Sequence, residues 1–489
     1  MNLSKTKHIN TLILIFILSF TLRLFLITST PEKNTTIDLC IYINSGQLIY
    51  NHVNPYDFND NIEVRTKLRN DSSVNDTWVM ENQARWDYYA SSNLPGSIYF
   101  YGAIEYIAKG NPTTYRIIFA LIDSLLSILI FLFILKFWFI DRLYIKYSIA
   151  LLLGALNPIL YHWGILIPEE KGMQILLMLA ALFFAKDKKI ILSSVFMALS
   201  ICFKGLGIFL IPLCLYYIID SPTTLRQIYN REKIIKLLKY TGITALVCFI
   251  IFSPFFPEIL TMMQSRLVSN VNSDPTHSSI WRTLFLHHPN NWSIVSKIFI
   301  VVFILINVYG FLAKKLDFEI ICTSILILFL DISLNAGSLD RMNIGFLIAI
   351  LIMGTSKLSP QVIFLSSWYF LIGLMGYIIF ATSLFETFEF DHELFDSLFA
   401  LSFVLIFTLI LIISLFNSKK KIALVVQSIF AIIVILLYFN LILLLVDRPQ
   451  TAFANEIIVK VGMGELDPEL LELTKDQRNK IGVLISKNP

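Results

Sequence analysis

Residues 94–110 read LPGSIYFYGAIEYIAKG, and the assignment of this stretch decides the fold. It is apolar and just long enough to be read as a membrane span, which needs about 17–25 residues. Counting it as a span reverses the side on which every later loop lies. Lysine and arginine decide between the two readings, because short loops on the cytosolic side accumulate them. With 94–110 left outside the membrane, the basic residues fall on one side. They are Lys5/Lys7, Lys136/Arg142/Lys146, Lys186/Lys188/Lys189, Arg226/Arg231/Lys233/Lys236/Lys239, Lys314/Lys315, Lys357 and Lys419/Lys420/Lys421. With 94–110 counted as a span, KDKK and KKK end up outside. The stretch is therefore expected to be an external helix that hugs the membrane.

Working outward, apolar runs continue to both ends of the chain. At 489 residues, 56% hydrophobic and a mean hydropathy of +0.70, no soluble core could hide so much apolar surface. Spans are expected at roughly 9–28, 114–136, 147–162, 171–185, 190–204, 206–220, 240–256, 294–313, 318–335, 341–356, 360–382, 397–416 and 422–446, about thirteen in all. The expected class is an all-α polytopic membrane protein with a large external first loop, 29–113, carrying amphipathic interfacial helices. The transmembrane domain covers 1–446, and a polar tail, 447–489, follows on the external side. The first apolar run is too long for a signal peptide, is interrupted by Arg23 and lacks a small-residue cleavage site, so it is read as a retained span. A net charge of +4 gives no reason to expect nucleic acid. Cys40, Cys202, Cys214, Cys248 and Cys322 form no CxxC pair, which argues against a zinc site or a disulfide framework.

The basic face has short loops. The other face carries 29–113, HWGILIPEEKG, a long loop over about 257–293, SLNAGSLDR and ETFEFDHELFD. Sites are built on long loops over a rigid scaffold, so function is expected there. Within the first loop, TTIDLCIYINSGQLIYNHVNPYDF opens a helix from Asp38. Its apolar stripe is Leu39, Tyr42, Ile43, Gly46, Ile49 and Tyr50, with Asn44, Gln47 and Asn51 opposite. Asp38 at its head is either a helix cap favoured by the dipole or a working carboxylate.

The order of further motifs favours the second reading. After Asp38 come VNPYDF, the Pro-aromatic 94–110, TYRIIFALIDSLLSILIFLF with Arg116 and Asp123, NPILYHWGILIPEEKGM, SICFKGLGIFLIPL and FSPFFPE. This order resembles the GT-C superfamily, integral membrane glycosyltransferases that use polyprenyl-phosphate sugars. The resemblance covers about residues 1–260 and lies in order and spacing; beyond that only topology and SLDRMNI continue it.

The resemblance implies an inverting hexosyl transfer from a polyprenyl-phosphate sugar to a hydroxyl on a lipid-linked or glycan acceptor, at the external face. Asp38 matches the general base. Glu169 and Glu170 match an acid near the donor or a metal, against a plain role at a helix start with Lys171 pairing one of them. Lys204 is expected to contact the donor phosphate rather than merely snorkel. Arg341 is a second phosphate ligand, its alternative being a pair with Asp340; a guanidinium suits that task. His277 and Arg282 are candidate substrate contacts. His277, His287 and His288 match no standard metal spacing. A divalent ion, magnesium or manganese, is compatible with the resemblance without being required by the sequence. Arg116 is read as an interface anchor. Asp123, inside the second span, needs a polar partner that the sequence does not name. The sequons at Asn34, Asn70, Asn75 and Asn291 follow from an Ile-, Asn- and Lys-rich composition, and a bacterial inner membrane is expected over the endoplasmic reticulum. The competing function is a lipid-linked-sugar flippase or transporter, for which paired repeats and broken helices at mid-depth would be expected.

Overall fold

A computed structural model describes residues 5–30, 37–57, 59–70, 93–161, 164–165, 169, 171–220, 230–264, 292–328, 339–356, 359–381 and 406–412. Every regular element among them is helical. In chain order they are α1 (Lys5–Ser29), α2 (Ile37–Tyr50), α3 (Ile62–Asn70), α4 (Pro95–Ala108), α5 (Pro112–Phe137), α6 (Leu143–Leu153), α7 (Pro158–Tyr161), α8 (Lys171–Lys186) and α9 (Ile190–Lys204). There follow α10 (Ile211–Ile218), α11 (Arg231–Phe252), α12 (Trp292–Leu312), α13 (Phe318–Ile327), α14 (Leu339–Met353) and α15 (Ser359–Ala381).

The helix ends follow local chemistry. Asn111 accepts from the Thr114 amide at 3.0 Å while Pro112 takes the first turn, so α5 starts there. Asn230 caps α11 in the same way through Glu232 at 3.0 Å. Lys109 and Gly110 turn left-handed to end α4, and Gly205 (φ 77°) ends α9. The span expected at 147–162 corresponds to Leu143–Tyr161 and carries an internal turn: α6 stops at Leu153, and Gly154–Asn157 turn before Pro158 restarts the helix. The span expected at 240–256 begins nine residues earlier, at Arg231.

Among the described residues, four helical stretches are long and apolar enough to cross a membrane: Ile9–Ser29, Pro112–Phe137, Leu143–Tyr161 and Arg231–Phe255. Shorter apolar helices include Ile190–Lys204, Leu206–Ile218, Ile300–Leu312, Phe318–Ile327 and Gln361–Leu371. Lipid is the natural solvent for what these helices leave uncovered. Leu14 and Phe25 on α1, Leu238, Leu246 and Phe249 on α11, and Leu305 and Leu312 on α12 are all more than half exposed. A soluble monomer rarely shows apolar patches of that extent. These are the marks of a membrane protein.

The core sits where α5, α8 and α14 meet, with Ile130, Ile134, Met178, Leu182, Phe346 and Ile350 fully buried. Helix directions define two ends. At the basic end α5 finishes beside α14: the Trp138 indole donates to the Leu351 carbonyl at 3.1 Å, and Phe139 donates to the Gly354 carbonyl at 3.1 Å. Tyr217, at the end of α10, meets both Glu319 (3.3 Å) and Thr355 (3.0 Å), so α13 begins and α14 finishes there. Lys136 pairs with Asp187 at the same end. The opposite end holds the close of α1, α9 and α11 and the start of α5. Across it lie α2, α3 and α4.

Candidate functional site

The opposite end gathers the candidate residues through contacts that can be followed one at a time. Asp38 occupies the first turn of α2, and α2 lies along α4. Gly46 is what allows it: a Cβ there would stand 2.7 Å from the Tyr101 carbonyl and 2.8 Å from the Tyr115 hydroxyl. Tyr42 stacks on Tyr101 with centroids 4.6 Å apart. Tyr115 donates to Glu105 at 2.9 Å and is buried with it. Burial raises the Glu105 carboxyl above its ordinary range, while bonds from Tyr115, the Gly110 amide and Gln47 pull it back in part. Helix α2 is thus enclosed by protein. Asn44, expected on a polar face, is buried, although the α4 contacts run through the opposite, apolar stripe of Tyr42, Gly46 and Ile49.

Helix α4 in turn sits on the end of α9. A Cβ at Gly96 would come 2.8 Å from the Cys202 carbonyl carbon, Ser97 donates to the Phe203 carbonyl, and Phe100 meets Phe203 edge-on at 5.5 Å. Lys204, the last residue of α9, is therefore part of the same neighbourhood, half-buried beside the αL turn of Gly205. Arg65 gathers the chain that follows α2: its guanidinium donates to the Asn54, Asp57 and Asp60 carbonyls.

Glu169 is buried and ion-paired to Lys171, the pairing weighed as the plain alternative to substrate binding. Helix α8 does not start at the level where α5 starts. A Cβ at Gly172, in its first turn, would run into the Asp123 carboxylate, three turns inside α5, so the segment leading to α8 reaches down into the bundle. Arg341 lies in the first turn of α14, which runs toward the basic end, so it falls at the end shared with Lys204. The side chains of Asp38 and Arg341 lie outside the described residues, as do Glu170, His277 and Arg282 altogether.

Arg116, expected as an interface anchor, is instead fully buried. It donates to the Thr30 carbonyl (3.1 Å) and hydroxyl (2.9 Å) and to the Ile165 carbonyl (3.1 and 2.8 Å). Five fixed donors make arginine suited to collecting carbonyls that no helix satisfies. Asp123 finds its partner in Arg23, at 3.6 Å, with the Tyr161 ring 4.6 Å under the guanidinium. In sequence Arg23 is only an interruption of an apolar run. A lone arginine and a lone aspartate in two apolar helices are the available signal for this pair, since each is costly without the other.

No three His, Cys, Asp or Glu side chains gather for a metal among the described residues. The chain matches no protein-family model, and no curated protein matches it.

Proposed function

We propose that this chain is an inverting glycosyltransferase that moves a sugar from a polyprenyl-phosphate donor to an acceptor hydroxyl at the external membrane face. The reading takes α1 as running outward, about thirteen spans in all, and 29–113 as an external loop. The observation that supports it is the run of contacts from α2, with Asp38 in its first turn, through α4 to Lys204 at the end of α9, with the start of α14 lying toward the same end.

In this reading Asp38 takes the acceptor hydroxyl proton as the oxygen attacks the anomeric carbon. The bond from that carbon to the phosphate oxygen breaks with inversion. Lys204 and Arg341 offset the charge on the departing lipid phosphate. The polyprenyl tail stays in the bilayer, beside the apolar faces of α11 and α12.

A flippase or transporter is the second reading. One observation favours it: the Arg23–Asp123 pair is a charged couple buried well inside the bundle, where transporters bind ions. Purified wild type and Asp38→Asn, each given a panel of radiolabelled polyprenyl-phosphate sugars, separate the readings. Transfer by wild type and a loss of about 100-fold or more in Asp38→Asn is expected, the range that begins at the lower bound for a general base. Equal transfer by both removes the base. No transfer on any donor, with movement of the lipid-linked sugar across vesicles, makes the flippase reading the correct one.

A further inference from the structure

Two buried arginines tie together the same three segments: α1, α5 and the chain that carries Glu169. Arg23 reaches from α1 to Asp123 on α5 and lies over Tyr161 at the close of α7. Arg116 reaches from α5 to Thr30, just past α1, and to Ile165, four residues before Glu169. The register between the helices is antiparallel and regular. Ser19 meets Ser127 at 3.1 Å, Arg23 meets Asp123 and Thr30 meets Arg116. Each step up α1 is matched by an equal step back along α5, with the buried apolar Ile27 and Ala120 between the second and third pairs. The Asp123 carboxylate closes the arrangement from below, since a Cβ at either Gly164 or Gly172 would strike it. Both flanks of the Glu169 segment therefore rest on one side chain.

Apolar residues would hold two membrane helices together equally well. Interhelical polar contacts add little to stability on average. A buried charged pair is worth its desolvation where position matters more than stability.

Building on the transfer reading above, we infer that Arg23, Asp123 and Arg116 are positioning residues. They hold the Glu169 segment in register with the close of α1 at Thr30, eight residues before Asp38. They touch neither donor nor acceptor, and they act by fixing where two acids stand.

The test uses the full-length protein and two readouts. Ile165 is fully buried, so Ile165→Cys should be protected from a membrane-impermeant maleimide. Adding Arg23→Met with Asp123→Leu replaces the ion pair by apolar side chains of similar bulk, a change that folded proteins often tolerate. Labelling should then rise about tenfold or more, the effect of losing about 1.4 kcal/mol of local protection. In the Ile165 background the same pair of changes should lower kcat and leave the KM for the donor lipid alone. Gly172→Ala, which keeps both charges and pushes the carboxylate aside, should act in the same direction and serves if the double variant fails to fold. Unchanged protection overturns the inference, and so does faster labelling with unchanged kcat. If wild type transfers no sugar while labelling still rises, the transfer reading fails and the anchoring of the segment stands on its own.

Discussion

Glu105 shows how a single buried acid ties down a loop helix. Its carboxyl accepts from Tyr115 and sits with Gln47 and Gly110, so it joins α2, α4 and α5 at one point. Burial is the largest influence on it and lifts its pKa above the ordinary 4.5. A raised pKa in the fold means that the folded state holds the proton more tightly than the unfolded chain. The stabilisation is complete below the unfolded value and is lost as pH rises through the folded one. Thermal unfolding in detergent should show wild type losing stability over that rise, and Glu105→Gln should flatten the slope. Tyr115→Phe removes the donor and leaves the acid facing no hydroxyl, which should cost about 1–3 kcal/mol. If Tyr115→Phe unfolds like wild type, the bond contributes nothing.

Among elements, the contact of α2 with α4 is set by the absence of a side chain at Gly46. Alanine is the better helix former by roughly 1 kcal/mol. Here its Cβ would meet a backbone carbonyl at 2.7 Å, and a carbonyl within a helix cannot step aside. Gly46→Ala should therefore destabilise by about 1–3 kcal/mol, as overpacking does, and the loss should appear first as faster hydrogen exchange in α2 and α4. An unchanged exchange pattern would show that the two helices are not tightly apposed.

The same pair shows what was legible in the sequence. Apolar runs and Pro, Gly and Asn punctuation located α1, α5, α8, α9 and α14 to within a few residues, because those signals act through local backbone chemistry. The hairpin at Lys204 was legible for the same reason. Register between helices was not, since nothing near Arg23 says that Asp123 will stand opposite it. Nor could periodicity tell that Asn44 is buried, because it reads one helix at a time. Arg116 looked like an anchor for a similar reason: its acceptors are carbonyls, which carry no side-chain signature.

For the whole molecule, the distribution of charge carries a prediction about which way the chain faces. Lys136, Lys186, Lys188 and Lys189 stand at one end, and the close of α1 with α2 and α4 stands at the other. A basic residue near an anionic leaflet is worth about 1 kcal/mol, so several together fix an orientation that no single substitution reverses. Tyr106 on α4 and Lys189 before α9 are both exposed, and they report opposite ends. In intact cells a membrane-impermeant maleimide should label Tyr106→Cys directly, and should reach Lys189→Cys only after the membrane is opened. The native cysteines are buried or half-buried, so the background is low. The reverse pattern would put α2 on the cytosolic side. Asp38 would then face an acceptor pool on the wrong side of the bilayer, and the proposed transfer could not take place where the donor sugar is presented.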